Sequence, residues 1–210
     1  NKLKSINQRY NLKAIHNGKL SERTTTLAEI NKELAGLRAK FSENLLAENA
    51  AFQLVIENRA DLDGLPESVI DAAAQRPEEA GKEVKWVFTT DKPSMLPFLT
   101  YAKNRDLRAK LYAAFTSRGD RDNEYDNKEI MAGIMNLRTR KAQLLGYDNY
   151  ANYVLESRMA KNSEGVMGLL DQLWTPSLNL AKAEAAEMQK MIDAEGGNFK
   201  LAPSDWWYYA

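Results

Sequence analysis

Residues 20–49 read LSERTTTLAEINKELAGLRAKFSENLLAEN. Leu20, Leu27, Ile30, Leu34, Leu37, Phe41 and Leu45 recur there at steps of three, four and seven, which puts them on one face of an α-helix. Lys, Glu and Arg fill the opposite face. Ser21 and Thr24 to Thr26 open the pattern, and the predicted helix runs from about Glu22 to Asn49, roughly 40 Å at 1.5 Å per residue. Leu3, Ile6, Tyr10, Leu12 and Ile15 predict an antiparallel partner helix joined through the Asn17-Gly18 turn. The fold class that follows is mainly α, a multi-helix segment with long amphipathic helices.

Two stretches break the helical period. Phe52 to Ile56 and Val84 to Thr90 are β-branched and aromatic, and they predict a small ribbon at about residues 52–57 and 84–90. A two-stranded ribbon is marginal alone and must lean on helices or on a further strand. Between them, Pro66 opens a short helix through Val69, Ile70, Ala73 and Ala74. Ser94 to Ala102 predicts a helix interrupted or bent at Pro97, and Asn104-Arg105-Asp106 caps the next, to about Ser117. Gly119 to Asp122 reads as a polar loop. Asn123 to Leu145, with Tyr125, Ile130, Ile134, Leu137 and Leu144 on one stripe, ends at Gly146. A shorter helix follows from Asn149 to Met159. Ser163 to Gly196 is the last long one, with a kink expected at Pro176 and Trp174 packed at the bend. No internal domain boundary is evident, so residues 1–210 read as a single helical segment.

Composition narrows the chemistry. The chain has 210 residues, 29 basic against 29 acidic, one His and no Cys. A balanced charge gives no support for a nucleic-acid or anionic-membrane partner. The apolar runs fall far short of the roughly 18–20 residues of a membrane span. Without Cys there are no disulfides, thiolate metal sites or thiol nucleophiles, and the compartment stays open. His16 alone cannot supply the two histidines of an H-E-x-x-H zinc helix, and no G-x-S-x-G turn accompanies it. It reads as a solvated residue of the His16-Asn17-Gly18 turn. No catalytic or metal-ligating residue is therefore expected in this chain.

Four constellations carry weaker signals, each with a plainer alternative. Arg105, Arg108, Arg118 and Arg121 form a basic cluster able to hold a carboxylate or phosphate; the alternative is a solvated face paired with Asp106, Asp120 and Asp122. Glu184, Glu187, Asp193 and Glu195 suit a metal site or, interleaved with Lys182 and Lys190, ordinary surface pairs such as Glu187 with Lys190. Tyr147, Tyr150 and Tyr153 offer hydroxyls to a ligand or line the core edge with their hydroxyls wet. The Trp86 strand can dock an extended peptide if one of its edges is open.

The last residues, Pro203-Ser204-Asp205-Trp206-Trp207-Tyr208-Tyr209-Ala210, pack four aromatics behind a helix start with Ser204 or Asp205 as N-cap. One helical turn is not stable alone, and such a cluster is expected to be buried. The expectation is a chain that is part of a longer one.

Several stretches together resemble the thimet oligopeptidase family of zinc peptidases. They are Lys85-Trp86-Val87-Phe88-Thr89 leading into Pro93-Ser94 and Pro97-Phe98; Asn104-Arg105-Asp106-Leu107-Arg108; and Leu111-Tyr112-Ala113-Ala114-Phe115. Leu137-Arg138 with Lys141-Ala142, Leu144-Leu145-Gly146-Tyr147, Asn149-Tyr150-Ala151, Met159-Ala160-Lys161 and the final Asp205 to Ala210 complete the set. Within the family the likeness is to the bacterial peptidyl-dipeptidases (dipeptidyl carboxypeptidases), and it covers nearly the whole chain in order.

The resemblance implies a helical protein with two halves flanking a deep channel. A zinc held by H-E-x-x-H and a downstream Glu would lie beyond Ala210 and activate water there. No catalytic or metal residue is carried onto a position here, and no substrate-binding residue is singled out. The chain would be an inactive scaffold and channel-wall segment, its partners the C-terminal catalytic half and short peptides. Zinc would belong to the parent, in a bacterial cytosol or periplasm. The alternatives are a free-standing helical interaction module and a binding domain with no enzyme parent. A truncated segment is expected to expose an apolar patch of several hundred Å² and to self-associate.

Overall fold

The computed structural model describes residues 20–75 and 85–210, without the side chains of residues 20–23 and Gln75. The predicted partner helix of Leu3 to Ile15, the Asn17-Gly18 turn and His16 lie outside the described residues. The described residues divide into two compact units, residues 20–43 with 127–173 and residues 44–75 and 85–126 with 174–210.

The sequence stripe does form a helix, α1, Leu20–Ala51. In the first unit it buries Ile30 and Leu34 against Ile134 and Leu137, flanked by Leu37, Ile130 and Leu144. Ile30, Leu34 and Leu37 belong to α1, and Ile130, Ile134, Leu137 and Leu144 to α5, Lys128–Leu144. Polar bonds tie the same pair of helices. Lys141 Nζ donates to Asn31 Oδ1 at 2.7 Å, and Asn127 Nδ2 donates to the Phe41 carbonyl at 3.1 Å. α5 starts five residues later than its periodicity predicts, at Lys128 and not Asn123. Asn123 Oδ1 accepts the Tyr125 N–H and Asp126 accepts that of Asp122, whose φ is +52°. These local side-chain bonds hold the backbone in turns and compete with the helix. Gly146, with φ +83°, ends α5 as expected. α6, Tyr150–Leu155, follows behind Asn149, whose side chain caps Asn152 N at 2.9 Å.

In the second unit a sheet sits against helices. β1 (Leu54–Ile56), β2 (Ala74–Gln75) and β3 (Lys85–Phe88) form one sheet of order β1-β3-β2. β1 pairs β3 antiparallel with Leu54 opposite Phe88 and Ile56 opposite Trp86. The third strand was not expected. α2, Glu67–Ala73, stops one residue short of the predicted Ala74 because Ala74 pairs with Trp86. The sheet thus gains the extra strand that a two-stranded ribbon lacks.

α3, Lys92–Tyr101, runs on through Pro97, so the predicted interruption does not occur. Only the carbonyl of Pro93, in the first turn, loses its partner to the missing N–H. Met95, Phe98 and Leu99 are fully buried from this helix, and the Phe98 ring lies 4.6 Å from that of Phe88. Such packing outweighs one hydrogen bond. α4, Arg105–Thr116, begins under Asn104, whose side chain accepts the Leu107 N–H at 3.2 Å. α7, Ser163–Ala194, is helical through Pro176, and α8 is the single turn Trp206–Tyr209.

Trp174 corrects the sequence expectation. It is 66% exposed and not packed at a bend, and Leu169, Leu170, Leu173 and Leu180 of the same helix are also at least half exposed. No helix of the described residues is long and apolar enough to cross a membrane.

Candidate functional site

The predicted basic cluster splits between two buried carboxylates at opposite ends of α4. At its N-terminal end, Arg105 and Arg108 lie one turn apart on one helix face. Both point at Asp205, which is fully buried. Arg105 donates from Nε to Oδ1 at 3.0 Å and from Nη2 to Oδ2 at 2.9 Å, a forked grip on the carboxylate. Arg108 Nη2 reaches Oδ1 at 3.1 Å, while its Nη1 donates to the Ala102 carbonyl at 2.7 Å. The Arg105 guanidinium lies 4.1 Å over the Phe199 ring and that of Arg108 lies 4.0 Å over Tyr208.

Asp205 also accepts the Ala202 N–H at 3.0 Å. The cap of the C-terminal turn is therefore Ala202, with Pro203–Asp205 a 3₁₀ turn ahead of α8. Asp205 does stand at the N-cap position of α8, as expected, but its side chain makes no cap bond there and serves the Ala202 N–H instead. The Asp205 carboxylate is held inward by two guanidiniums and reaches back to the turn's first N–H. Burial pushes the Asp205 carboxyl up, and Arg105, the Ala202 N–H and Arg108 together outweigh it and leave it below the usual carboxylate range.

At the other end of α4, Glu48 of α1 is 2% exposed. It accepts from Arg121 Nε at 3.1 Å and from the N–H of Gly119, whose φ is +74°. Arg118 donates to the Phe115 carbonyl at 2.8 Å and to Asn49 Oδ1 at 3.2 Å, and Thr90 shares that oxygen at 3.0 Å. Arg108, 1% exposed, is no part of a solvated face, and the four arginines form no common anion site. Glu48 and Asp205 were not singled out by the sequence reading. Glu48 was findable, since it continues the apolar stripe Leu34, Leu37, Phe41, Leu45 by one more step of three.

The acidic residues of α7 do not converge. Glu187 pairs with Lys190 at 2.6 Å, and Asp193 accepts from Gln189 at 3.0 Å. Among the described residues no group of three His, Cys, Asp or Glu can hold a metal ion. Glu195 accepts the Tyr209 hydroxyl at 3.1 Å. Burial, then this bond to a carboxylate, pushes the Tyr209 hydroxyl up to about 12. The raised value means that its contribution to stability is full below the ordinary tyrosine range near pH 10 and is lost as pH rises through about 12. Spectrophotometric titration should show one tyrosine ionising last, and Glu195→Gln should bring it down. The β3 strand carrying Trp86 is central, with β1 on one side and β2 on the other. The expected open edge for a docked peptide is therefore not on Trp86.

The three tyrosines do come together. Tyr147 and Tyr150 each pack on Tyr153, with ring centroids at 5.4 and 5.7 Å. The Tyr147 hydroxyl bonds Glu156. Arg138 lies 5.2 Å over Tyr150, and Lys141 lies 5.6 Å over Tyr153.

Comparison with known proteins matches residues 98–210, over half of the chain, to the model of Peptidase family M3. The chain belongs to this family. It is 35% identical to Oligopeptidase A of Haemophilus influenzae over 197 residues, 92% of this chain and 29% of the relative. It is 31% identical to Dipeptidyl carboxypeptidase of Escherichia coli, over 88% of this chain and 27% of that protein. Organellar oligopeptidase A of Arabidopsis thaliana is 33% identical over 88% of this chain and 24% of its own length. The chain thus spans under a third of the length of these relatives. The family expected from the sequence is the one found, and both oligopeptidase and dipeptidyl carboxypeptidase occur among the relatives.

Proposed function

We propose that residues 1–210 are one scaffold segment of a zinc-dependent peptidase that acts on short peptides, forming part of its substrate-channel wall and none of its chemistry. The match over 92% of this chain but only 29% of a peptidase relative carries this reading. The described residues offer no ligand set for zinc, so the metal and the water it activates are assigned to the rest of the polypeptide, and no step is routed through this chain. In the wall role, helices exclude folded proteins by their bulk and admit extended chains. The parent is proposed to release dipeptides from peptide C-termini, as the name of its dipeptidyl carboxypeptidase relative describes.

The exposed Leu169, Leu170 and Leu173, and further along α7 Trp174 and Leu180, support a helix that is covered in the parent. The same observation favours the second reading, a helical interaction module. Two assays separate them. The 210-residue chain should bind no stoichiometric zinc and cleave nothing, whereas the full-length protein should bind one zinc and release dipeptides from a peptide ladder. Stoichiometric zinc on the short chain overturns the proposal. A full-length protein without peptidase activity leaves the interaction module, and internal cleavage in place of dipeptide release overturns the peptidyl-dipeptidase part alone.

A further inference from the structure

Five arginines of the described residues lie over aromatic rings: Arg105, Arg108, Arg118, Arg121 and Arg138. The first four also end on oxygen. Arg105 and Arg108 reach Asp205, Arg118 reaches Phe115 and Asn49, and Arg121 reaches Glu48 and Ala114. Arg138 differs. Its one bond is to the thioether of Met135 at 3.9 Å, a weak acceptor, so no oxygen holds its guanidinium; its Nε, like that of Arg108, is shielded from solvent with no partner. A half-buried guanidinium in this state leaves donor capacity unused, which is costly when water is kept away.

The surroundings define what fits. Lys141, one turn further along α5, brings a second cation over the neighbouring ring, Tyr153, and its own bond goes to the neutral amide oxygen of Asn31. The nearby Glu156 is engaged with Tyr147. Met131 and Met135, at steps of seven and three before Arg138, are 52% and 54% exposed and border it with adaptable apolar surface. Two cations fixed on tyrosine rings beside exposed thioethers match an anionic, planar group attached to an apolar residue. We infer that Arg138, with Lys141, Met131, Met135 and the Tyr150 and Tyr153 rings, is a binding site for the carboxylate of a short peptide. The peptide as ligand rests on the channel-wall reading above; the demand for a carboxylate rests on Arg138 itself.

The test titrates the 210-residue chain with three blocked dipeptides, followed by the ring proton resonances of Tyr150 and Tyr153. N-acetyl-Ala-Leu presents a terminal carboxylate, N-acetyl-Ala-Glu-amide a side-chain carboxylate, and N-acetyl-Ala-Leu-amide none. At least one of the two acids should bind roughly tenfold more tightly than the neutral amide, and the stronger of the two identifies the kind of carboxylate preferred. Arg138→Gln should abolish the preference, and Arg138→Lys, which keeps the charge without the fork, should retain part of it; the Lys variant also serves if the Gln variant does not fold. Equal binding of all three peptides, or an unchanged preference in folded Arg138→Gln, overturns the site. Loss of the site with a full-length protein that still cleaves peptides leaves the peptidase reading intact. An Arg138-dependent preference with a full-length protein that cleaves nothing retains the site and removes the channel.

Discussion

Asp205→Asn is expected to lower the unfolding free energy of this chain by about 3 kcal/mol or more, the range found when one partner of a buried ion pair is removed. The amide keeps the shape and can still accept from the Ala202 N–H. It no longer neutralises Arg108, which is 1% exposed and cannot retreat to water. Arg105 has a side chain that is 36% exposed, so Arg105→Ala should cost less, about 1 kcal/mol. Denaturant unfolding monitored by tryptophan fluorescence reads both, since Trp206 and Trp207 follow Asp205 directly. A loss below 1 kcal/mol in Asp205→Asn would mean that the clamp is not what holds the turn.

The same group sets an acid limb. The Asp205 carboxyl is held below its ordinary value, so its contribution is present above the unfolded carboxylate range near pH 4. It is lost as pH falls through the lower folded value. The wild-type chain should lose stability faster than Asp205→Asn as pH drops below about 4, and parallel acid profiles would contradict this.

The second large effect is expected at Gly64. Its φ is +89°, and a Cβ built there would lie 2.2 Å from the Tyr101 carbonyl oxygen and 3.0 Å from Lys103 Cγ. The approach is fixed from both sides, because Lys103 N donates to the Asp63 carbonyl at 2.9 Å and the flanking Leu62 and Leu65 are buried. Gly64→Ala pays a left-handed backbone cost of about 1–2 kcal/mol. Displacing the end of α3 adds about 1–3 kcal/mol. A matched control is Gly36→Ala in α1, where nothing lies within 4 Å of the new Cβ and helix propensity should add about 1 kcal/mol of stability. Opposite signs for the two substitutions in thermal unfolding are the expected result. Loss of stability in both would mean that α1 does not have the open surface described.

These two positions also mark what a linear reading can and cannot see. The stripe from Leu27 to Leu45 predicted α1 to within two residues at either end, because the helical period is a local property. The pairing of β1 with β3 followed from their β-branched and aromatic residues. Asp205 was read as a helix cap because Pro-Ser-Asp before an aromatic run carries that local signal. Its true partners, Arg105 and Arg108, lie 100 and 97 positions away. The same limit applies to Arg121 and Glu48, and charged residues falling on an apolar stripe are the only trace such pairs leave in sequence. Trp174 failed for the opposite reason. An aromatic beside a proline predicts packing, but Trp174 stands 66% exposed among the described residues.

The long span between Arg108 and Asp205 has a bearing on how the chain is made. At about 5–20 residues per second of synthesis, Asp205 follows Arg108 by roughly 5–20 s. For that interval the first turn of α4 carries two guanidiniums meant for a carboxylate that has not been translated. α4 can form, since its Asn104 cap is adjacent, but its N-terminal end stays hydrated until Asp205 arrives. Folding of the second unit is thereby deferred until the Pro203–Tyr209 turns have emerged, and nascent chains stalled short of Asp205 should remain open to proteases at that end of α4.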